Sequence, residues 1–192
     1  MSLVELIAQA DTRGLAASGL ACLDRCLPLL DGDDEVLRPL WAALAAGDGE
    51  ADARDWADAL EQVRGKLAGP DAADEDEAVL LARRMLDTAP AGRTAAEARA
   101  WADACSVASL RIHRLLDPLA DDALDTEAER EGDLADVPPL VAAELRRQTA
   151  VLELVTAHGP AGLRGALDVS TEGRRILRAV VSRRARNRVG TE

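Results

Sequence analysis

The feature that most constrains this chain is its shortage of aromatic side chains. It contains no Phe and no Tyr, so its three Trp are the only aromatic residues among 192. Alanine and leucine, with 39 and 29 copies, supply most of the apolar surface. Both favour helices, whereas the β-branched and aromatic residues that favour strands are scarce. We therefore expect an all-α fold in which closely packed helices form the core.

Apolar residues recur at helical spacing from end to end, and about nine or ten helices are predicted. The predicted helices are a short one opened by Ser2-x-x-Glu5, then 15–30, one spanning Leu37 to Leu44, 51–68, 72–88, 94–118, 138–159, a short segment at 161–167 and 171–187. Residues 120–136 are predicted to be a loop or a short frayed helix. We expect one all-α domain over residues 1–182, a bundle or short array, followed by an Arg-rich extension over 183–192.

One internal similarity suggests a duplicated helical hairpin. Residues 51–59 (ADARDWADA) and 96–104 (AEARAWADA) share seven of nine positions. Each copy opens a predicted helix, although no third copy is found and solenoids need about three repeats. Trp56 and Trp101 occupy the same position in the two copies and lie on apolar stripes, so both are predicted to anchor the core. For Trp41 the sequence leaves two positions open, one in the core and one that covers an edge or an interface.

The net charge of -12 is unevenly distributed. Residues 1–137 carry 30 acidic and 13 basic side chains, whereas residues 138–192 carry 5 and 10. An acidic chain repels nucleic acid at long range, although a local basic patch can still bind it. The chain also has few aromatic platforms on which bases could stack. Nucleic acid is therefore not the expected partner.

The strongest candidate for a binding site is a cluster of seven arginines near the C-terminal end. They are Arg174, Arg175, Arg178, Arg183, Arg184, Arg186 and Arg188. The first half of this helix carries an apolar stripe, but after Val181 it has only Ala185 to bury. We predict that the first half docks on the body and that the arginines bind an acidic protein partner. Pairing with the chain's own acidic surface and binding of phosphate are the alternatives.

Cysteine and histidine give little support to a metal site. Cys22 and Cys26 lie one turn apart, but zinc needs three or four ligands. Cys105 and His113 are about 12 Å apart along one predicted helix, so both cannot reach one ion. We predict that all three cysteines are small core residues.

Ser109, His113 and Asp117 follow one another in the order of a hydrolase triad. On a single helix they would be stacked along the axis, without a strained turn or oxyanion donors. We predict instead that His113 hydrogen-bonds to Asp117. His158 precedes Gly159-Pro160 and is predicted to stabilise a helix C-terminus. No catalytic residue is predicted.

Two acidic clusters are predicted to be solvated surface. They comprise Asp74, Glu75, Asp76 and Glu77, and then Asp121, Asp122, Asp125, Glu127, Glu129 and Glu131. The chain has no Glu-x-x-His motif, no spacing typical of a calcium loop and no Gly-rich nucleotide motif. No metal or cofactor is therefore predicted, and a carboxylate-metal hydrolase is the weakest alternative.

The predicted function is a non-catalytic interaction or regulatory module. An odd number of cysteines, the absence of a long apolar run and an N-terminus without a basic segment indicate the cytoplasm, with no membrane association. The basic residues are 22 Arg and a single Lys, Lys66, a bias that we interpret as a sign of bacterial origin. The main alternative is a regulator that binds nucleic acid or another polyanion through the Arg-rich helix, and self-association stays open.

Overall fold

Helices account for well over half of the residues in the computed structural model, and no strand occurs in the part of the chain that it describes. The structure describes residues 1–47, 49–69, 76–120, 126–135 and 137–189, without the side chains of Glu50 and of residues 187–189. The helices are α1 (Leu3–Gln9), α2 (Thr12–Cys26), α3 (Arg38–Ala46), α4 (Glu50–Leu67), α5 (Glu77–Asp87), α6 (Ala95–Leu116), α7 (Thr126–Glu131), α8 (Pro139–His158) and α9 (Gly162–Val189). The predicted all-α class is confirmed.

Eight of these helices, within the described ranges, are seven residues or longer, and α7 adds six residues. Counted without the six-residue α7, the described helices number eight and not the predicted nine or ten, because the segment at 161–167 and the helix at 171–187 form one continuous helix, α9. Helix α9 also runs unbroken across residue 183, the predicted start of a separate extension. The predicted beginning of α5 at residue 72 lies outside the described residues. None of the described helices is both long and apolar enough to cross a membrane.

Helix α2 lies at the centre of the fold. It packs against α3, α5, α6, α8 and α9, and every residue from Gly14 to Cys26 is buried. The sequence indicates a helix with one apolar face and with Asp24 on the other side, but here all faces are covered. A helix buried all round must find partners for its polar side chains, because an unpaired buried charge is very costly.

All three tryptophans lie in the core, as was predicted for Trp56 and Trp101. Trp56 and Trp101 are buried and meet edge to face, with ring centroids 6.2 Å apart. Gly19 lets the Trp101 ring approach α2, since a Cβ atom there would lie 2.6 Å from the ring. Trp41 is also a core residue rather than an edge residue, and its indole nitrogen donates to Asp24 Oδ2 at 2.8 Å.

The two similar segments open α4 and α6 in the same register. Thr94 and Glu97 form a capping box at the start of α6, and the Gly49 N–H donates to the Asp52 carboxylate at the matching positions of α4. The preceding helices differ, because three residues separate α3 from α4 whereas seven separate α5 from α6. Each of the two helices also packs against the helix that precedes it, α4 against α3 and α6 against α5.

Candidate functional site

The arginines of α9 divide into an inward and an outward set. Arg174 belongs to the first, since it is only 5% exposed and its Nη1 donates to Asp24 Oδ1 at 2.5 Å. Its Nε also lies 3.3 Å from Asp34 Oδ1. Asp24 therefore joins Arg174 of α9 to Trp41 of α3 from its place on α2. This pairing is internal to the chain and removes Arg174 from the residues available to a partner.

Arg178 and Arg184 also contact the chain itself. Arg178 Nη2 donates to Asp34 Oδ1 at 2.7 Å, and this hydrogen bond lowers the pKa of Asp34. Arg184 Nη1 donates to the Leu115 carbonyl at 2.6 Å. Leu115 lies in the last turn of α6, where carbonyl groups lack helical partners and attract a cation. Arg184 thus fastens the far part of α9 to the end of α6.

The outward set comprises Arg175, Arg183 and Arg186. All three are exposed, and none forms an ion pair within 4 Å among the described residues. At 3.6 residues per turn they fall within a stripe about 80° wide on one side of α9. The Arg188 side chain lies outside the described residues. Three of the seven predicted arginines therefore present unpaired positive charge to solvent.

An apolar groove lies beside this stripe, between the end of α6, the start of α8 and the last part of α9. Its volume is about 480 Å³. Its apolar lining includes Leu115, Leu116, Leu119, Leu140 and Val180, and Arg183 and Arg184 stand on the α9 side. Leu119 is 76% exposed, which is unusual for a leucine beside other apolar residues. We call this feature the α6–α8–α9 groove.

Asp117 fixes the floor of the α6–α8–α9 groove. It is buried at the C-terminus of α6, where Oδ1 accepts the Leu119 N–H at 2.9 Å and Oδ2 accepts the Leu140 N–H at 2.8 Å. One carboxylate therefore ties the end of α6 to the first turn of α8. The predicted hydrogen bond from His113 to Asp117 is wrong, because Asp117 serves these two backbone groups instead.

A second polar feature is fully enclosed between α2, α6 and α8. Arg25 donates to both oxygens of Glu144, from Nε at 2.8 Å and from Nη2 at 2.6 Å. Ser109 Oγ and Gln148 Nε2 donate to Glu144 Oε1 at 2.8 and 2.9 Å. His113 Nε2 lies 3.5 Å from Glu144 Oε2. We call these five residues the buried polar cluster.

The electrostatics of the buried polar cluster are dominated by one ion pair. Burial alone would raise the pKa of Glu144, but the charge of Arg25, the nearby His113 and the hydrogen bonds from Arg25 and Gln148 together outweigh it and hold that pKa at about 2. Burial lowers the pKa of His113 in spite of the nearby Glu144, so His113 is neutral at pH 7. Its Nδ1 pairs with the Ser109 carbonyl at 2.7 Å. Since all five side chains are buried, the cluster has no open face for a substrate.

The three cysteines are buried free thiols, as predicted. Cys22 and Cys26 border the buried polar cluster: Arg25 Nη2 lies 3.4 Å from Cys22 Sγ, and Cys26 Sγ lies 3.7 Å from Ser109 Oγ. Burial raises the pKa of Cys22 to about 12 and also raises the pKa values of Cys26 and Cys105. Thiols that stay protonated are poor nucleophiles and poor metal ligands.

His158 ends α8, at the helix C-terminus where it was predicted.

The acidic clusters are more strongly paired than predicted. Glu129 is buried and paired with Arg114, so its prediction as solvated surface is wrong. Glu127 pairs with Arg130 at 3.0 Å, and Glu77 pairs with Arg111 at 3.0 Å. Asp74, Glu75, Asp121, Asp122 and Asp125 lie outside the described residues. Within the described ranges, no three His, Cys, Asp or Glu side chains are grouped to hold a metal ion.

Comparison with protein-family models, curated protein sequences and solved structures finds no match to this chain.

The groove residues Leu115, Leu119 and Leu140 were not predicted from the sequence to form a binding site. The one sequence signal for the groove was the position of Leu119 between Pro118 and an acidic segment, which is followed by Pro138-Pro139 at the start of the next helix. Helical periodicity assigns such leucines to the core and does not show which ones are left uncovered.

Proposed function

We propose that this protein is a non-catalytic interaction module that binds an acidic, amphipathic helical segment of another protein in the α6–α8–α9 groove. The observation that carries this proposal is the combination of an apolar lining with the exposed Arg183 on the α9 side, which has no ion pair among the described residues. An exposed apolar groove with a charged rim is typical of helix-in-groove recognition.

The groove matches the two faces of such a segment. Apolar side chains spaced by three or four residues would lie on Leu119, Leu140 and Val180. Acidic side chains beside that stripe would face Arg183 and Arg186.

The charge distribution favours an acidic protein over nucleic acid. A polyanion as long as a nucleic acid would approach the acidic body as well as the arginine stripe, whereas a short acidic segment meets only the stripe. Charged rims chiefly accelerate and orient association, while the apolar contacts slow dissociation. We place the protein in a reducing compartment, consistent with the cytoplasm, because its three cysteines are free thiols.

A designed peptide that carries both proposed features of the partner tests the proposal directly. The probe is a labelled helical peptide of about three heptads with Leu at its apolar positions and Glu at the flanking ones, followed by fluorescence anisotropy. Leu119→Ser and Arg183→Glu should each weaken binding by about tenfold, because each removes an anchor or a favourable charge. Raising the salt concentration should weaken binding to the parent.

Matched controls separate the groove from the rest of the surface. Leu134→Ser removes another exposed leucine, and Arg38→Glu reverses another exposed arginine, and both should bind like the parent. Equal binding of a peptide with Lys in place of Glu would overturn the acidic preference. Tighter binding of single-stranded RNA, lost in Arg183→Glu, would support nucleic acid instead. A dimer that Leu119→Ser dissociates would make a second copy the occupant.

A further inference from the structure

A second groove lies between α5 and α6, and it shares no lining residue with the α6–α8–α9 groove. Its volume is about 450 Å³, within the range of small-molecule sites. Along α6 it extends from Glu97 to Ala108, about 16 Å at the helical rise of 1.5 Å per residue. We call it the α5–α6 groove.

The inner surface of the α5–α6 groove is apolar. Leu81 and Met85 of α5 and Trp101 and Ala104 of α6 are among its lining residues. The Trp101 indole N–H donates to the Met85 carbonyl at 2.9 Å, so the polar atom of the ring is satisfied inside the protein. The groove therefore offers carbon surface to a ligand and no unpaired indole donor.

Three polar side chains border the α5–α6 groove, and two of them are already engaged. Thr88 Oγ1 donates to the Arg84 carbonyl at 2.7 Å. Glu97 Oε2 accepts from Thr94 Oγ1 at 2.6 Å as part of the capping box of α6. The third, the Arg84 guanidinium, is exposed and has no hydrogen-bond or ion-pair partner among the described residues. The border therefore carries one anion, Glu97, which is engaged in the cap of α6, and one cation, Arg84, which has no such partner among the described residues.

We propose that the α5–α6 groove binds a small amphipathic carboxylate: a monocarboxylic acid with one alkyl chain of medium length. The alkyl chain would lie on Leu81, Met85 and Trp101, and its carboxylate would pair with Arg84. Guanidinium groups bind carboxylates through two parallel hydrogen bonds, whereas Glu97 Oε2 already serves the cap of α6. The comparison with an alkylamine below tests whether Glu97 attracts a cation instead. The volume and length of the groove suit one such chain rather than a folded partner. This proposal does not depend on the proposed function.

A ligand series measures the apolar contribution. Hexanoate, octanoate and decanoate are titrated into the full chain by calorimetry, with tryptophan fluorescence as a second signal because Trp101 lines the groove. Each added methylene should strengthen binding by about threefold while it is still covered by the groove. Decanoate should bind about tenfold more tightly than decanol or decylamine, since only the carboxylate pairs with Arg84.

Variants at residues inside and outside the α5–α6 groove show where the ligand binds. Arg84→Gln should reduce the affinity for decanoate to that for decanol, whereas Arg38→Gln, at another exposed arginine, should not. Ala104→Leu fills the groove and should abolish binding of both ligands. Ala96→Leu adds the same side chain at an exposed position of α6 outside the groove and should leave binding intact. Circular dichroism and urea midpoints verify that every variant is folded.

Several outcomes would overturn the proposal. Decanoate affinity unchanged in Ala104→Leu would place the ligand elsewhere, and equal affinity for decylamine would remove the role of Arg84. Absence of measurable heat and fluorescence change with decanoate would exclude the site. Leu119→Ser should not affect decanoate binding, so a failure here is distinguishable from a failure of the peptide-binding proposal.

Discussion

The buried polar cluster and the end of α9 use the same charged residue, arginine, under opposite conditions. Arg25 is fully buried and donates to both oxygens of Glu144, whereas Arg183 and Arg186 are exposed without an ion pair among the described residues. In the first region the charge has lost its water and depends on Glu144. In the second it is hydrated and screened by salt, with a Debye length of about 8 Å at physiological ionic strength.

The difference shows that exposure to solvent determines whether an arginine pairs within the fold or stays available to a partner. A buried ion pair stabilises little overall, because desolvation of both ions offsets their attraction, but removal of one partner is severe. An exposed arginine contributes about 0–1 kcal/mol to stability and keeps its charge available for association. Arg174, Arg178 and Arg184 lie between these extremes on the same helix as the exposed set.

The largest expected effect follows from removing one partner of the buried pair. Arg25→Met leaves the Glu144 carboxylate buried without its counter-ion and should lower the free energy of unfolding by about 3–5 kcal/mol. Urea denaturation at pH 7 measures the loss. Arg111→Met, which breaks the exposed pair with Glu77, should cost about 1 kcal/mol at most.

The double variant Arg25→Met/Glu144→Leu sharpens this test. It removes both charges together, so it should recover at least half of the stability lost in Arg25→Met. If the losses of stability in the single variants Arg25→Met and Glu144→Leu simply add in the double variant, the two charges are not energetically coupled.

The next largest expected effect is that of acid, which should lower stability through the buried polar cluster and not through the exposed arginines of α9. The pKa of Glu144 falls from 4.5 to about 2 on folding, so its contribution is present above pH 4.5 and is lost as the pH falls towards 2. That shift corresponds to about 3 kcal/mol. Urea denaturation at a series of pH values measures the loss, and Glu144→Gln should flatten the curve in this window. Because the pair is buried, high salt should change this window far less than it changes peptide binding at the exposed arginines.

Local signals in the sequence predicted much of the fold. Ser2 with Glu5 and Thr94 with Glu97 form the two capping boxes, and Trp56 and Trp101 are core residues. These features depend on residues a few positions apart, which helical periodicity and capping rules describe directly.

The candidate site was predicted less completely, because its contacts join distant parts of the chain. Arg25 and Glu144 are 119 positions apart, and Arg174 lies 150 positions from Asp24. Periodicity shows which face of a helix is apolar but not which helices become neighbours. The same gap explains the error at His113, whose partners include Glu144 of α8 rather than Asp117 of its own helix.

His113 provides a smaller pH effect inside the buried polar cluster. Its pKa is lowered by burial in the folded protein, so the unfolded chain binds the proton first as the pH falls below 6.5. The contribution of neutral His113 to stability is therefore fully present above pH 6.5, and it declines as the pH falls from there towards the lowered pKa. Replacement by Gln should remove this decline, measured by urea midpoints between pH 8 and 5 with pH 8 as the reference. An unchanged slope would show that His113 does not gain its proton on unfolding.

The smallest effect is expected at the end of α9, where one arginine touches the body and a neighbour does not. Arg184→Gln removes the charged hydrogen bond to the Leu115 carbonyl and should cost about 1 kcal/mol, or about 2–4 °C in melting temperature for a chain of this size. Arg186→Gln removes an exposed charge and should leave the melting temperature unchanged. Deletion of residues 183–192 should cost little more than Arg184→Gln, yet should abolish binding of the acidic peptide. A melting temperature lowered equally by Arg184→Gln and Arg186→Gln would show that both arginines act through general charge balance and not through the Leu115 contact. A truncated chain that melts far lower but still binds the peptide would make this end structural and would move the partner site elsewhere.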